Sequence, residues 1–239
     1  MLQVCLNGAR NRGECSSLPV TPEELAAQAE RAVAAGAEDV HLHPKDADGR
    51  DSLEPGVVGE AVIAVRAAVP KHVQVGVTTG AWAVSDPLRR ADLIRDWVVL
   101  PDHASVNWHE RGAEAVAGAL LSLGIGIEAG IYSGTDAPRK FLASPLSSRV
   151  LRVLAEVTDT DPRTAVATAA ALLKELGEGL AVPVLLHGEE GGAWPVLQAA
   201  ARLGLDARVG LEDVLVLPDG SPAADNAALI HSARRLLDS

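Results

Sequence analysis

The chain has 239 residues, with 21 lysines and arginines against 32 aspartates and glutamates, so its formal net charge is −11. This acidic balance argues against nucleic acid or an anionic membrane as the main partner, because both attract cationic surfaces. Hydrophobic residues make up 48% and charged residues 22%, which is typical of a folded globular chain and argues against disorder.

The composition also argues against membrane and secreted classes. The longest uncharged stretches, residues 73–85 and 115–127, are shorter than the roughly 20 apolar residues that a transmembrane helix needs. The first residues have neither the cationic lead nor the apolar core of a secretory signal. Cys5 and Cys15 are the only cysteines, so we predict no disulfide framework and a cytoplasmic location.

A short β-branched run followed by a longer run rich in alanine and leucine recurs along the chain, which is typical of alternating strands and helices. Strands are predicted at residues 3–9, 39–44, 73–79, 104–108, 125–131, 152–157, 182–188 and 207–213. Helices are predicted at residues 21–37, 56–69, 86–97, 113–123, 137–149, 161–177, 193–204 and 223–237. The fifth helix has the weakest pattern, because Pro145 interrupts it.

Two of these helices have recognisable first residues. Thr21 precedes a proline, and Glu24 stands where a capping box places its acidic partner. Asp161 precedes Pro162 in the same manner. We therefore expect the first helix to begin at Thr21 and the sixth at Asp161.

Strict alternation of strand and helix indicates a parallel sheet with helices outside it. Eight strand–helix pairs in about 240 residues match the size of an α/β fold of the closed (β/α)8 kind, the TIM barrel. We predict one such barrel as a single domain over residues 1–239. A doubly wound open sheet is the main alternative.

In a barrel of this kind the active site lies at the C-terminal ends of the strands. The predicted strands have apolar bodies and polar ends, which is typical of an active-site face. The candidate residues at these ends are Asn7, His41, His43, Thr78, Thr79, Gly80, Asn107, Glu128, Glu156, His187, Arg208, Glu212 and Asp213.

His41 and His43 are the sharpest local signal. Residues i and i+2 of a strand point to the same face, so both imidazoles can reach one metal ion. Glu212 is the natural third ligand, because closure of the barrel brings the eighth strand close to the second. Alternatively, the two histidines only form hydrogen bonds in the barrel mouth.

Arg208 lies four residues before Glu212 on the predicted eighth strand, and Asp213 follows at its tip. A buried arginine needs acidic partners. Glu128 and Glu156 are candidates for this role, and an internal salt bridge between Arg208 and Glu212 is the alternative to a catalytic role.

Other patterns are weaker. Residues 46–51 resemble a calcium loop, but Asp51 stands where an EF-hand needs glycine and Val57 where it needs glutamate. Tryptophans pack more often than they recognise ligands, although Trp82, Trp108 and Trp194 fall on loops at the predicted active face.

Together these segments resemble the β-keto acid cleavage enzyme family. The matching segments are residues 7–9, 18–25, 41–44, 48–50, 78–80, 105–107 and 208–213, which span nearly the whole chain. The sequence His-Leu-His-Pro with the later Asp-Gly-Arg, and the sequence Arg-Val-Gly-Leu-Glu-Asp, are the specific ones.

The resemblance implies a zinc-bearing (β/α)8 barrel in which His41, His43 and Glu212 bind one Zn²⁺. It implies a coenzyme A-dependent retro-Claisen reaction, in which a β-keto acid and acetyl-CoA give a new acyl-CoA and acetoacetate. It also implies a homo-oligomer, a tetramer or a dimer. By motif match, Arg208 anchors the substrate and Asp213 deprotonates it.

From their place on the predicted strands or in the matching segments, we expect substrate contacts at Thr78, Thr79, Gly80, Asn107, Glu128, Glu156, His187 and Arg10. Thr78 falls where the family has a serine, and Arg10 falls where it has a glutamate. If Arg10 projects over the site, we expect it to favour an anionic tail on the keto acid. Alternatively, Arg10 points into solvent on the loop that holds Arg12 and Glu14.

The chemistry of these residues agrees with the implied reaction. Breaking a carbon–carbon bond next to a ketone builds negative charge on an enolate oxygen, and a metal with only three protein ligands can stabilise that charge. Two other functions stay open. They are a zinc-dependent hydrolase or lyase acting on a small carbonyl substrate, and an inactive barrel that serves as a binding module.

Overall fold

The computed structural model describes residues 1–177 and 179–237, and its eight parallel strands close into a barrel. The strands are β1 (Leu2–Cys5), β2 (Asp39–Leu42), β3 (Gln74–Thr78), β4 (His103–Asn107), β5 (Gly126–Tyr132), β6 (Arg152–Val157), β7 (Val184–Gly188) and β8 (Asp206–Val209). Each strand pairs with the next, and β1 also pairs with β8. The predicted (β/α)8 TIM barrel is therefore confirmed, and the open sheet is wrong.

A helix follows each strand on the outside of the barrel. The helices are α1 (Pro22–Ala34), α2 (Pro55–Ala68), α3 (Pro87–Arg95), α4 (Ala113–Ser122), α5 (Ala137–Ala143), α6 (Ala165–Leu176), α7 (Ala193–Leu203) and α8 (Asn226–Leu237). Among the described residues, no helix is long and apolar enough to cross a membrane. The apolar core lies between these helices and the strands.

The predicted start of α1 is confirmed at the level of single hydrogen bonds. The backbone N–H of Glu24 donates to the Thr21 hydroxyl at 3.3 Å, and the Thr21 N–H donates to the Glu24 carboxylate at 3.1 Å. These reciprocal bonds satisfy two amide groups that have no partner inside the helix.

Two other helix predictions are wrong at their ends. The sixth helix begins at Ala165 instead of Asp161, because Asp161 forms a turn in which its carboxylate binds Arg163 at 2.6 Å. The fifth helix ends at Ala143, two residues before Pro145, and a short 3-10 turn (Ser147–Arg149) occupies part of the remainder. Proline lacks the N–H that a continuing helix needs.

The first and last strands are shorter than predicted. The first ends at Cys5 instead of residue 9, and the eighth ends at Val209 instead of residue 213. Residues 210–213 form a turn closed by a 2.9 Å hydrogen bond from the Asp213 N–H to the Gly210 carbonyl. The ends of these two strands therefore leave the sheet and form the rim of the barrel mouth.

The turn after β8 depends on a very close backbone approach. A Cβ atom on Gly210 would lie 1.9 Å from the carbonyl oxygen of Cys5. We expect Gly210→Ala to lower the free energy of unfolding by about 3 kcal/mol, because backbone must move to admit the methyl group. Urea denaturation measures this loss. Gly118→Ala is the matched control, since its methyl group enters open space on α4 and should be neutral or slightly stabilising.

Below the mouth, the barrel interior contains a buried ionic cluster. Arg152 donates to Asp39 at 2.7 Å and to Glu128 at 2.6 Å, and His103 contacts the same two carboxylates. Gln3 donates to both carboxylates as well. We call these five residues the interior cluster. Each carboxylate in it is matched by a cation, which reduces the cost of burying charge.

Candidate active site

A cavity of about 460 Å³ opens at the C-terminal ends of the strands. Its lining includes seven of the sequence-predicted site residues. They are Arg10, His43, Glu156, His187, Arg208, Glu212 and Asp213. We call this space the mouth cavity. Its position is the one at which (β/α)8 enzymes carry out their chemistry.

Beside this cavity, the structure brings His41, His43 and Glu212 together. One potential ligand atom from each lies within 4.8 Å of the others. The two Nε2 atoms lie 3.8 and 3.7 Å from the two oxygens of the Glu212 carboxylate. We call these residues the His–His–Glu cluster.

Neighbouring backbone holds this cluster in place. The Asn7 side-chain oxygen accepts from the N–H of His43 at 2.9 Å, and its amide donates to the His43 carbonyl at 2.9 Å. Gly8 lies against Glu212, and a Cβ there would come within 2.4 Å of the Glu212 Cγ. The absence of a side chain at Gly8 therefore lets Glu212 reach across β1 toward β2.

The cluster has the chemistry of a divalent metal site. The Glu212 Oε2 atom is buried without a hydrogen-bond partner among the described residues. Burial lowers the pKa of His41 to about 4, so its imidazole is neutral at pH 7 and can offer a lone pair. Two imidazole nitrogens and a carboxylate suit zinc and leave one coordination position open, once the metal has displaced the proton from His43.

His43 is fixed from behind by Asp51. The Nδ1 atom of His43 lies 2.7 Å from this carboxylate, which also accepts from Lys45 at 2.6 Å and from the Trp82 indole at 2.7 Å. The Trp82 ring stacks on the imidazole, with centroids 5.7 Å apart. Burial lowers the pKa of His43, but Glu212 and Asp51 outweigh it and raise the pKa to about 9. The same negative charge would favour a divalent cation at Nε2.

Arg208 and Asp213 form a buried pair on the opposite side of Glu212. The guanidinium donates to Asp213 at 3.0 Å and to Glu212 at 2.7 Å. Burial opposes the charge on Arg208, but the neighbouring carboxylates hold its pKa well above the ordinary value. Glu128, one of the candidate partners of Arg208, binds Arg152 instead.

His187 lies between two carboxylates of the cavity. Its Nδ1 is 3.4 Å from Asp213 and its Nε2 is 3.5 Å from Glu156. Burial and Arg208 lower the pKa of His187, but the two carboxylates outweigh them and raise it to about 9. A cationic His187 therefore lies between Asp213 and Glu156.

Arg10 lies over the cavity and does not point into solvent. Its Nε donates to the backbone carbonyl of Glu212 at 3.0 Å, and its other nitrogens contact Glu190 and Glu14. The single positive charge of Arg10 is therefore already paired with two carboxylates. Arg10 connects the loop after β1 with the loops after β7 and β8.

Five predicted contacts lie outside the cavity lining. Glu128 belongs to the interior cluster, and the other four, Thr78, Thr79, Gly80 and Asn107, lie at the ends of β3 and β4 or directly after β3. The Thr79 hydroxyl donates to a backbone carbonyl of β4 at 2.6 Å, and Thr78 accepts from the Gly80 N–H at 3.2 Å. Asn107 donates to the Glu110 carboxylate at 3.0 Å. In the structure these side chains form hydrogen bonds within the segments at the ends of β3 and β4.

The sequence did not indicate three residues that complete the site, namely Asp51, Tyr132 and Glu189. The sequence does predict Trp82 at the active face, although packing is the more frequent role of tryptophan. Asp51 directly follows the Asp-Gly-Arg segment that matched the family, and this neighbourhood is the sequence signal that could have identified it. Tyr132 lies one residue beyond the predicted end of the fifth strand. Burial and the nearby Glu156 raise its pKa, so the phenol is neutral.

Comparison with known proteins gives one family match. The family model described as beta-keto acid cleavage enzyme matches residues 1–115 and 138–239. This match covers all residues of the His–His–Glu cluster and the Arg208–Asp213 pair.

Solved structures share the fold at low sequence identity. ObcA, in a ternary complex with a C4-CoA adduct and oxalate, has a TM-score of 0.71, 19% identity and coverage of 92% of this chain. The chain spans 64% of the length of ObcA. Type I 3-dehydroquinate dehydratase from Clostridium difficile has a TM-score of 0.66 and 10% identity, with 99% and 90% of the two chains covered. The structure of 3-hexulose-6-phosphate synthase from Salmonella typhimurium has a TM-score of 0.59 and 16% identity. That match covers 99% of this chain and 97% of the other.

Proposed function

Since the chain belongs to the beta-keto acid cleavage enzyme family, we propose that it catalyses a metal-dependent retro-Claisen acyl transfer between a β-keto acid and acetyl-CoA. The carbon–carbon bond next to the ketone breaks, and the acyl fragment passes to the CoA sulfur. The remaining carboxymethyl fragment joins the acetyl group as acetoacetate. The observation that carries the proposal is the His–His–Glu cluster beside the Arg208–Asp213 pair in one cavity.

His41, His43 and Glu212 would hold one Zn²⁺, each through a single ligand atom. A divalent metal at this position supplies Lewis acidity for the negative charge that develops on the substrate oxygen. The carboxylate at Asp51 holds the His43 ring with Nε2 directed toward Glu212. This arrangement of carboxylate behind histidine is the usual support of metal-binding imidazoles.

Asp213 would act as the general base. Its Oδ1 accepts from Arg208, and its Oδ2 is buried without a hydrogen-bond partner in the described part of the chain. A carboxylate with a free oxygen beside the metal site can take the proton from the carbon between the ketone and the carboxylate of the substrate. Arg208 would orient Asp213 and attract the anionic substrate.

One experiment separates this proposal from its alternatives. Purified protein would be analysed for bound metal and then screened with a panel of β-keto acids and acetyl-CoA. Mass spectrometry would follow acyl-CoA and acetoacetate. We expect about one zinc per chain and turnover that requires acetyl-CoA. Hydrolysis without CoA would indicate a metal-dependent hydrolase, and absence of both metal and turnover would indicate a binding module.

We also propose that the chain forms a homo-oligomer, a dimer or a tetramer, and acts in the cytoplasm. Sedimentation velocity of the purified chain measures its assembly directly.

The position of Arg10 changes the expectation for substrate charge. Because Glu14 and Glu190 already match its charge, we expect Arg10→Glu to place three carboxylates together and to displace the loop over the cavity. The value of kcat/KM should fall alike for keto acids with neutral and with anionic tails. Steady-state kinetics with one substrate of each class measures this. A fall in kcat/KM confined to the anionic substrate would instead indicate that Arg10 selects for an anionic tail.

A further inference from the structure

The imidazole of His41 has a second nitrogen that faces away from the mouth cavity. Its Nδ1 lies 3.8 Å from the Oε2 atom of Glu128 in the interior cluster. Both atoms are buried, and neither has a hydrogen-bond partner among the described residues. Two unpartnered polar atoms thus face each other where no solvent reaches, which is costly unless they pair.

The other contacts of Glu128 leave an acceptor position for His41. An ionised carboxylate offers about four lone-pair positions. Its Oε1 accepts from Gln3 at 2.8 Å and from Arg152 at 2.6 Å. Its Oε2 lies 3.2 Å from the Nδ1 of His103. Oε1 therefore has two donors, whereas Oε2 faces both His103 and His41 without a hydrogen bond to either.

We infer that Glu128 is a positioning residue for His41. Its Oε2 atom faces the Nδ1–H of His41 and keeps the proton on that nitrogen, which directs the Nε2 lone pair toward Glu212 and the metal. A neutral imidazole carries one N–H, so a proton held on Nδ1 leaves Nε2 free to bind. The inference rests on the proposed metal role of the His–His–Glu cluster. It assigns to Glu128 a function below the cavity, since the Glu128 side chain has no exposed surface from which to touch substrate.

His43 also has a carboxylate at its Nδ1 atom. Asp51 lies 2.7 Å from the Nδ1 of His43, at hydrogen-bond distance, whereas Glu128 lies 3.8 Å from the Nδ1 of His41. The two carboxylates differ in what holds them. Asp51 is held by Lys45 and Trp82 in the loops, whereas Glu128 is held by Arg152 inside the barrel. The interior cluster would thus have a second purpose besides filling the barrel.

Glu128→Gln tests the inference with little change in shape. Gln3 and Arg152 both donate, so they require the amide oxygen of the new side chain on their side. The amide N–H groups would then face His103 and His41. An N–H directed at Nδ1 favours the His41 tautomer with the proton on Nε2, which cannot bind metal. We expect the zinc dissociation constant, measured by competition with a chelating dye, to rise about tenfold to a hundredfold.

Asp39→Asn is the matched control. Asp39 belongs to the same interior cluster and contacts Gln3, His103 and Arg152, but no hydrogen bond or ion pair joins it to His41 in the described residues. We expect this variant to lose stability to urea, as Glu128→Gln does, while its zinc affinity stays at the wild-type value. Equal zinc affinity in wild type and Glu128→Gln would overturn the inference and leave the proposed function standing.

A second measurement needs no variant of the interior. Wild-type protein with ¹⁵N-labelled histidine, loaded with zinc, reports the protonation of each ring nitrogen by NMR. We expect the His41 ring to carry its proton on Nδ1 and the metal on Nε2, with exchange of that proton slow because it is buried. Metal on Nδ1, or a proton on Nε2, would overturn the inference. A wild-type protein that binds no zinc would overturn both the inference and the proposed metal role.

Discussion

Replacing His41 and His43 together with alanine is expected to remove the metal and abolish β-keto acid cleavage while the barrel remains folded. The double variant leaves Glu212 as the only ligand of the cluster, and one carboxylate does not hold zinc against water. The fold should survive because the apolar core lies between the strands and the helices, and neither imidazole belongs to it. Elemental analysis measures the metal, and circular dichroism measures the fold.

Exposed histidines of the same chain provide the control. His72 and His231 lie on the surface, away from the mouth cavity. The His72→Ala/His231→Ala variant also removes two imidazoles, but neither lies near the mouth cavity. We therefore expect it to keep its metal and its activity. Full metal occupancy in the His41→Ala/His43→Ala protein would contradict the assignment of the cluster.

The pairing of His41 with Glu212 could be predicted from the sequence because it follows from regular geometry. Alternation along a strand places His41 and His43 on one face, and closure of an eight-stranded barrel places β8 one strand away from β2. The missing details were the strand ends. Glu212 lies in a turn after β8, where only the side-chain-free Gly8 allows it to approach.

The position of a residue along the barrel axis could not be predicted in the same way. In the sequence analysis Glu128 and Glu156 are treated alike, as polar residues of the fifth and sixth predicted strands, although Glu128 is in the middle of its strand and Glu156 near the end. The register pairs Glu128 with Arg152 at the beginning of β6, whereas Glu156 pairs with His187 near the end of β7. One carboxylate therefore lies inside the barrel and the other lines the cavity. Register depends on the stagger of neighbouring strands, which no single-strand pattern encodes.

Contacts made by irregular loops could not be predicted from the sequence either. Asp51 lies eight residues after His43, in a segment without strand or helix periodicity. Its position depends on Lys45, in the same loop, and on Trp82, which approaches from the loop after β3. The contact with Trp82 depends on neighbouring strands of the closed barrel, so local sequence spacing does not predict it.

Replacing Asp213 with asparagine is expected to lower turnover by roughly 10²–10⁴-fold, the usual contribution of a general base. Asparagine has nearly the same shape, and its amide oxygen can still accept the 3.0 Å hydrogen bond from Arg208. The variant therefore keeps the packing of the site and loses only the ability to take a proton. Single-turnover kinetics with the best keto acid of the screen measures the chemical step.

The metal content distinguishes loss of the base from loss of the site. Asp213 follows Glu212 in the chain but lies outside the His–His–Glu cluster, so Asp213→Asn should retain full metal. Glu156→Gln is the companion variant, because Glu156 is the other carboxylate that contacts His187 in the cavity. We expect it to keep most of the turnover that Asp213→Asn loses. Near-wild-type turnover in Asp213→Asn together with a large loss in Glu156→Gln would transfer the role of base to Glu156, with His187 between the two carboxylates as its partner.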